Sequence, residues 1–182
     1  HAVHLNRRDV EIIGERGSFL SHNPVSNLKL NSGLFAFEDL YHRLPGKVTI
    51  GTDGASSNNN LSMIESVKFA SLAAKCQADS ATAGKAADVF RAATSNGAAA
   101  FGLNAGEIRE GAPADCLLVD LNNPFMVPAY NLVSDLVYAA DSSSIADVIC
   151  NGRLVMEDRR VEGEAEIVAE ARKLAEKIIN LK

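Results

Sequence analysis

The segment KVTIGTDGASSNNN, residues 47–60, decides the fold class of this chain. It begins with a β-branched run that is typical of a strand, and the run stops at Asp53-Gly54. The serines and asparagines that follow offer several N-caps for the next helix. A strand that leads through a polar loop into a helix indicates a βα unit, and therefore an α/β fold with a parallel sheet.

Two histidines upstream, like Asp53, stand where a predicted strand ends. His1 precedes His22 by 21 residues, and His22 precedes Asp53 by 31 residues, which suits successive βα units. The carboxyl ends of parallel strands meet at one edge of a sheet or barrel, where ligands bind. We therefore expect the imidazoles of His1 and His22 and the carboxylate of Asp53 to face one cleft.

Each of these residues also has a purely structural interpretation. A histidine at a strand end commonly makes hydrogen bonds that hold the local backbone. Asp53 before Gly54 suits an Asx-turn in which Gly54 takes a positive φ. The functional interpretation makes Asp53 a metal ligand or a proton shuttle. The residues alone leave both interpretations open.

The composition limits the classes of partner. With 47% hydrophobic and 23% charged residues, the 182-residue chain has the profile of a globular protein. A net charge of -5 argues against binding to nucleic acid or to an anionic membrane. No apolar run reaches the roughly 20 residues that span a bilayer. The three cysteines are flanked by apolar residues, which predicts buried free thiols and a reducing, cytoplasmic location: Cys76, Cys116 and Cys150.

The rest of the chain predicts helices around the first strands and a small β region after them. Helices are expected at residues 7–16, 35–44, 61–76, 83–95 and 164–181. Asn96-Gly97 is expected to break the fourth of them. Later strands are expected at Ile108, at residues 116–120, 145–150 and 153–156, and at Val161. Asn151-Gly152 predicts a two-residue hairpin turn between two of these strands.

Five segments, in this order and at these spacings, carry a resemblance to a known family. They are HAVHL (residues 1–5), SHNPVSNLKL (21–30), GTDGASSNN (51–59), GEIREG with the following Ala-Asp (106–115) and ICNGRLV (149–155). Together they resemble the second half of the amidohydrolase superfamily. The resemblance is to the branch that holds the S-adenosylhomocysteine and methylthioadenosine deaminases and the triazine chlorohydrolases, and it covers nearly the whole chain.

The resemblance implies the C-terminal part, strands six to eight, of a metal-dependent (β/α)8 TIM barrel. A small β domain and a C-terminal helix would complete this α/β chain. Residues 1–105 would belong to the barrel, residues 106–162 would supply strands of the small β domain, and residues 163–182 would form the helix. We therefore expect a C-terminal fragment whose partner is the N-terminal half of the barrel.

The resemblance also implies roles for individual residues. Asp53 would bind one divalent metal, first of all Zn²⁺, and would shuttle a proton. His1 would stabilise the attacking hydroxide or the tetrahedral centre. His22, Asn23 and Ser56 join Asp53 as candidates for substrate binding. The other metal ligands and the general base of the family lie outside this chain, so we expect the fragment alone to be inactive and not to retain the metal.

The implied activity is hydrolysis of a C–N bond, first of all deamination of an adenosine-type nucleoside. Triazine dechlorination and deamination of guanine or cytosine are alternatives within the superfamily. A remnant without catalysis, acting as a binding or assembly module, is the alternative from another class. The expected partners are a small heterocyclic substrate and further copies of the full-length chain, with no nucleic acid and no membrane.

Overall fold

The computed structural model describes residues 1–180 and contains two separate β-sheets. The strands are β1 (Leu20–His22), β2 (Val48–Ile50), β3 (Cys116–Val119), β4 (Ile145–Cys150) and β5 (Arg153–Met156). The helices are α1 (Arg7–Arg16), α2 (Pro24–Lys29), α3 (Phe37–Arg43), α4 (Ala55–Asn58), α5 (Met63–Ala78), α6 (Ala86–Ala93), α7 (Ser95–Ala100), α8 (Leu132–Tyr138) and α9 (Glu164–Ile179).

The first sheet is the parallel pair β1–β2, which confirms the parallel pairing that the sequence predicts. Leu20 lies opposite Val48, and His22 lies opposite Ile50. Because β1 and β2 point the same way, the loops that follow them leave from the same edge of the sheet. The polar residues after both strands are therefore neighbours in space.

A hydrophobic core surrounds this parallel pair. Val48 is fully buried, and helices α1, α3, α5, α6 and α8 contribute side chains to the same cluster. Phe35 and Phe37, on the connection between the two strands, are among its largest members. Burying a side chain of this size contributes about 1.5–3 kcal/mol to stability. The core gives the two strand ends a rigid base.

The helix that precedes β1 forms as its sequence predicts. The side chain of Asn6 accepts hydrogen bonds from the backbone N–H groups of Arg8 and Asp9, and the Asp9 carboxylate accepts from the N–H of Asn6. Gly17 ends α1 in the left-handed conformation, with a φ of 65°. These local signals place α1 correctly without any tertiary information.

The second sheet is antiparallel, with strand order β3–β4–β5. Asn151 and Gly152 both have positive φ, 49° and 76°, and form the predicted two-residue hairpin turn between β4 and β5. Beyond the sheet, the whole of α9 is exposed. Its predicted end at Leu181 lies outside the described residues.

Several predicted elements are wrong in detail. Residues 24–29 form α2, a helix that was not predicted, and Pro24 occupies its first position, which tolerates the missing N–H. Asn96-Gly97 does not break a helix but lies within α7. Ile108 and Val161 lie outside strands. The helix α8 was not predicted.

The prediction of buried cysteines is also wrong. Cys76 and Cys150 are exposed, and Cys116 is half-buried; all three are free thiols. Cys76 lies in the last turn of α5, and Cys150 ends β4 at the hairpin, so both lie where their elements leave the core. Within residues 1–180, no helix is both long enough and apolar enough to cross a membrane.

Candidate active site

The chain turns directly from β1 into α2, and this turn positions the first polar residues of the site. His22 ends β1, and Pro24 begins α2 two residues later. Proline favours the first helical position because its fixed φ suits a helix and its missing N–H is not needed there. As a result, Ser26 and Asn27 lie in the first turns of α2, where both are buried beside the strand ends.

Asp53 follows β2 in an unusual backbone conformation. The φ of Asp53 is 61°, in the left-handed region that residues with a Cβ rarely adopt, whereas Gly54 has a φ of -78°. The expectation that Gly54 takes the positive φ is therefore wrong. Two hydrogen bonds hold this conformation: the Gly54 N–H donates to Oδ1 at 2.8 Å, and the Ser26 hydroxyl donates to Oδ2 at 2.7 Å.

The same hydrogen bonds set the charge of Asp53. The Ser26 hydroxyl, followed by the Gly54 N–H, lowers the pKa of the Asp53 carboxyl below its usual range because both donors favour the charged form. Asp53 is therefore a carboxylate at neutral pH. Its side chain is 31% exposed, so a ligand can reach the free side of the carboxylate.

His1 lies next to Asp53. Its Nε2 is 3.6 Å from Oδ2 of Asp53, and its Nδ1 is 2.7 Å from Oδ1 of Asn27. The imidazole is 46% exposed, so one side of the ring remains open. The structure thus brings together the two residues for which the family resemblance implies catalytic roles, and adds Ser26 and Asn27 as their direct partners.

His22 lies behind this pair. Its ring is buried and stacks on Phe35, with the ring centroids 4.4 Å apart and the planes at 13°. Burial lowers the pKa of His22 to about 3, so the ring is neutral near pH 7. Its Nδ1 lies 3.4 Å from Nδ2 of Asn27. His22 therefore reaches His1 only through Asn27.

The other two substrate-binding candidates lie in different surroundings. Asn23 is buried beside the end of β2, and a Cβ at Gly51 would lie 2.6 Å from its Oδ1, so a larger residue at position 51 would displace the Asn23 amide. Ser56 is exposed in α4, and its carbonyl accepts a hydrogen bond from Lys29 at 2.8 Å. Lys29 also donates to Oδ1 of Asn59 and so ties α2 to the loop after β2.

The sequence analysis missed Ser26, Asn27 and Lys29 as members of the site. All three stand in the quoted segment 21–30, but only the helical conformation of α2 directs them to one place. Ser26 and Asp53 are 27 residues apart, so no local pattern predicts their hydrogen bond. The available signal was Pro24, which can begin a helix and would have placed two polar residues in its first turns.

The described residues do not complete a metal site. Among the residues that the structure describes, no three His, Cys, Asp or Glu side chains meet in an arrangement that could hold a metal ion. His1 and Asp53 offer at most two donors, whereas a catalytic zinc ion uses three protein ligands. The residues present therefore do not by themselves fit a catalytic metal.

Comparisons with known proteins agree with one another. A model of the amidohydrolase family matches residues 1–155. The 5-methylthioadenosine/S-adenosylhomocysteine deaminase 1 of Archaeoglobus fulgidus is 42% identical over 98% of this chain and 43% of its own length. The 5'-deoxyadenosine deaminase of Methanospirillum hungatei is 42% identical over 99% of this chain and 40% of its own length.

A solved structure also resembles this chain. An adenosine deaminase from Xanthomonas campestris, crystallised with bound zinc, matches with a TM-score of 0.93 at 36% identity. The match covers 99% of this chain and 42% of that protein. The chain thus spans about two fifths of the length of the proteins it resembles.

Proposed function

The chain belongs to the amidohydrolase family, and from this premise we propose that it forms strands six to eight of a (β/α)8 barrel. In this proposal residues 1–105 belong to the barrel, residues 106–162 to a small β domain and residues 163–182 to a C-terminal helix. The rest of the barrel comes from a protein as long as the relatives, which we call the complete protein.

The proposed activity of the complete protein is hydrolytic deamination of an adenosine-type nucleoside. Two relatives that are 42% identical to this chain are named for such deaminations. The observation that carries the proposal is the distance of 3.6 Å between His1 and Asp53, beside the ends of two parallel strands. An imidazole and a carboxylate in contact at such an edge can share acid–base work on one substrate.

The chemistry assigns a separate task to each of these side chains. In hydrolytic deamination, water adds to the ring carbon that bears the amino group, and ammonia leaves. The attacking water loses a proton, and the departing amino group gains one. Asp53, held ionised by Ser26 and Gly54, accepts the first proton and delivers it to the leaving group. His1 lies close enough to accept a hydrogen bond from the attacking water or from the hydroxyl group of the tetrahedral centre.

The candidate substrate-binding residues differ in their exposure to solvent. Asp53 and Ser56 are exposed and remain proposed contacts for the substrate. Asn23 and His22 are buried behind them, so we propose that these two support the site from below. Because residues 1–180 do not complete a metal site, a divalent metal belongs to the proposal only for the complete protein, with Asp53 as one ligand. Zinc is favoured because the similar adenosine deaminase was crystallised with it.

The proposal has three further parts. Family membership supports a small heterocyclic substrate and a homo-oligomeric state, and the free cysteines support a location in the cytoplasm. For the chain without the rest of the barrel, we expect no activity.

A substrate panel tests the proposed function. The complete protein is incubated with S-adenosylhomocysteine, methylthioadenosine and 5'-deoxyadenosine, and in parallel with atrazine, guanine and cytosine. Ammonia release and the change in ultraviolet absorbance of the purine report on turnover. We expect turnover of at least one adenosine-type nucleoside. Turnover of only the triazine or the free bases would replace the proposed substrate class, and no turnover at all would favour a remnant without catalysis.

A further inference from the structure

The side chain of Asn27 lies between two histidines and touches both. Its Oδ1 is 2.7 Å from Nδ1 of His1, and its Nδ2 is 3.4 Å from Nδ1 of His22. The residue is 2% exposed and sits in the short helix that follows β1 directly. A buried amide in this position cannot exchange its partners for water, so each end must match the group that it faces.

The two ends of the Asn27 amide face different histidines, the nitrogen facing His22 and the oxygen facing His1. The His22 ring is buried against Phe35 and neutral near pH 7. Its Nδ1 accepts the N–H of the amide, since the amide nitrogen is the end that lies nearest to it. The amide oxygen is then directed at His1. A reversed amide would place its oxygen against Nδ1 of His22 and its N–H groups against Nδ1 of His1.

From this chain of contacts we propose that Asn27 is a positioning residue that holds His1 as the Nδ1–H tautomer. The oxygen of Asn27 can only accept, so the nitrogen 2.7 Å away must be the donor. In the other tautomer, the lone pair of Nδ1 would face the lone pairs of Oδ1 at that distance. The inference rests on the proposed function in one respect, namely that His1 and Asp53 act in the same reaction.

The tautomer of His1 determines whether Nε2, on the other side of the ring, accepts or donates a hydrogen bond. With the proton on Nδ1, the Nε2 of His1 is an acceptor that faces Oδ2 of Asp53 at 3.6 Å. Two acceptors at this distance favour a shared donor, such as a water O–H or the N–H of an amino-substituted ring. With the opposite tautomer, the Nε2–H would donate to Asp53 and occupy the carboxylate that is needed for proton transfer. Asn27 thereby keeps Asp53 free.

Nitrogen NMR on the complete protein tests the inference directly. The protein is labelled with ¹⁵N-histidine, the His1 signals are assigned by their loss in His1→Asn, and spectra are recorded above the titration range of histidine. We expect the wild type to show a protonated Nδ1. In Asn27→Leu, and in the smaller Asn27→Ser should leucine prevent folding, we expect the Nε2–H form that free histidine favours in water.

Kinetics of the same variants distinguish positioning from packing. We expect kcat to fall about 10- to 100-fold in Asn27→Leu, with a much smaller change in KM. Asn27→Asp keeps an acceptor opposite Nδ1 of His1 and places a second acceptor opposite Nδ1 of His22, which can itself take the Nδ1–H form. We therefore expect His1 to retain the Nδ1–H tautomer and kcat to fall less than in Asn27→Leu. The control is Asn123→Leu, which removes a buried amide in the loop after β3 and is expected to leave kcat and the His1 signals unchanged.

Two results would overturn the inference. One is a wild-type spectrum with the His1 proton on Nε2, or an Asn27→Leu spectrum in which the proton remains on Nδ1. The other is an Asn27→Asp variant that loses as much kcat as Asn27→Leu, since that outcome means that Asn27 acts through packing. If the wild type turns over none of the nucleosides, the proposed function fails, but the NMR comparison still decides the role of Asn27.

Discussion

The two sheets differ in how much of their cover this chain provides. In the parallel sheet, Leu20 is 7% exposed and β2 is buried along its whole length. In the antiparallel sheet, Leu117 is 56% exposed, and α9, which follows this sheet in the chain, buries none of its residues. The parallel pair is therefore buried in a packed core, and the antiparallel sheet leaves apolar side chains open to solvent.

The difference in burial between the two sheets agrees with the location of the candidate catalytic residues beside the buried one. A catalytic geometry has to be held to fractions of an ångström, which requires packed and hydrogen-bonded surroundings. Asp53 receives two hydrogen bonds at the end of the buried sheet. Asp115 in the second region accepts one, from the backbone N–H of Asn151, in an exposed turn. The comparison predicts that matched substitutions in the two regions have very different effects.

The largest expected difference concerns this pair of aspartates. Asp53→Asn keeps the shape of the side chain but removes the charge and the basicity, so we expect turnover of the complete protein to fall about 10⁴-fold or more. Asp115→Asn removes one carboxylate of the exposed turn and is expected to leave turnover within about twofold. Steady-state kinetics on both variants makes the comparison. Equal losses of turnover in the two variants would contradict the predicted difference between the two regions.

The second difference concerns matched leucines in the two sheets. Leu20→Ala removes a buried strand residue and is expected to lower the free energy of unfolding by about 2–5 kcal/mol. Leu117→Ala acts on a strand residue that is mostly in solvent, so the expected loss is within about 0.5 kcal/mol. Urea unfolding of the complete protein measures both. A large loss in Leu117→Ala would show that the second sheet is covered in the complete protein.

The third prediction uses pH and the buried ring of His22. The pKa of His22 is about 3 in the folded protein and 6.5 when exposed, so below pH 6.5 the unfolded chain takes up a proton that the folded protein does not. Stability is therefore lost as the pH falls from 6.5 to 3. At 1.36 kcal/mol per pH unit, the loss from this residue reaches about 2 kcal/mol at pH 5.

His22→Phe removes this proton uptake and keeps an aromatic ring against Phe35. We expect the variant to lose about 2 kcal/mol less stability than the wild type between pH 7 and pH 5. The control is Asn123→Leu, which changes a buried residue that does not titrate and is expected to keep the wild-type pH dependence. Urea unfolding at the two pH values decides, and an unchanged slope in His22→Phe contradicts the burial argument.

The smallest predicted difference lies between two glutamates. Glu38 accepts the backbone N–H of Gly84 at 2.8 Å and joins α3 to the loop before α6, so Glu38→Ala is expected to cost about 1–2 kcal/mol. Glu170 pairs with Lys173 on exposed α9, and Glu170→Ala is expected to cost no more than about 0.5 kcal/mol. Thermal unfolding of both variants ranks them, and the reverse order would contradict the comparison.

The sequence was most informative where structure depends on neighbouring residues. Asn6 and Gly17 bound α1, and Asn151-Gly152 forms the hairpin turn, because capping and turn chemistry act within a few residues. It was least informative where distant segments meet. Asp53 takes a positive φ because Ser26, which is 27 residues away, and Gly54 hold its carboxylate. The bond between His1 and Asn27 also joins residues 26 positions apart, so no local pattern predicts it.

The central claim is that His1 and Asp53 belong to a hydrolase that deaminates an adenosine-type nucleoside. Its most direct test is to incubate the complete protein in H₂¹⁸O with S-adenosylhomocysteine, methylthioadenosine and 5'-deoxyadenosine in turn, and to follow the purine by mass spectrometry. With at least one of the three we predict one ¹⁸O atom in each product molecule, one ammonia released for each, and no detectable product with Asp53→Asn. A wild-type protein that leaves all three purines unchanged, or a product without ¹⁸O from the solvent, would contradict the claim.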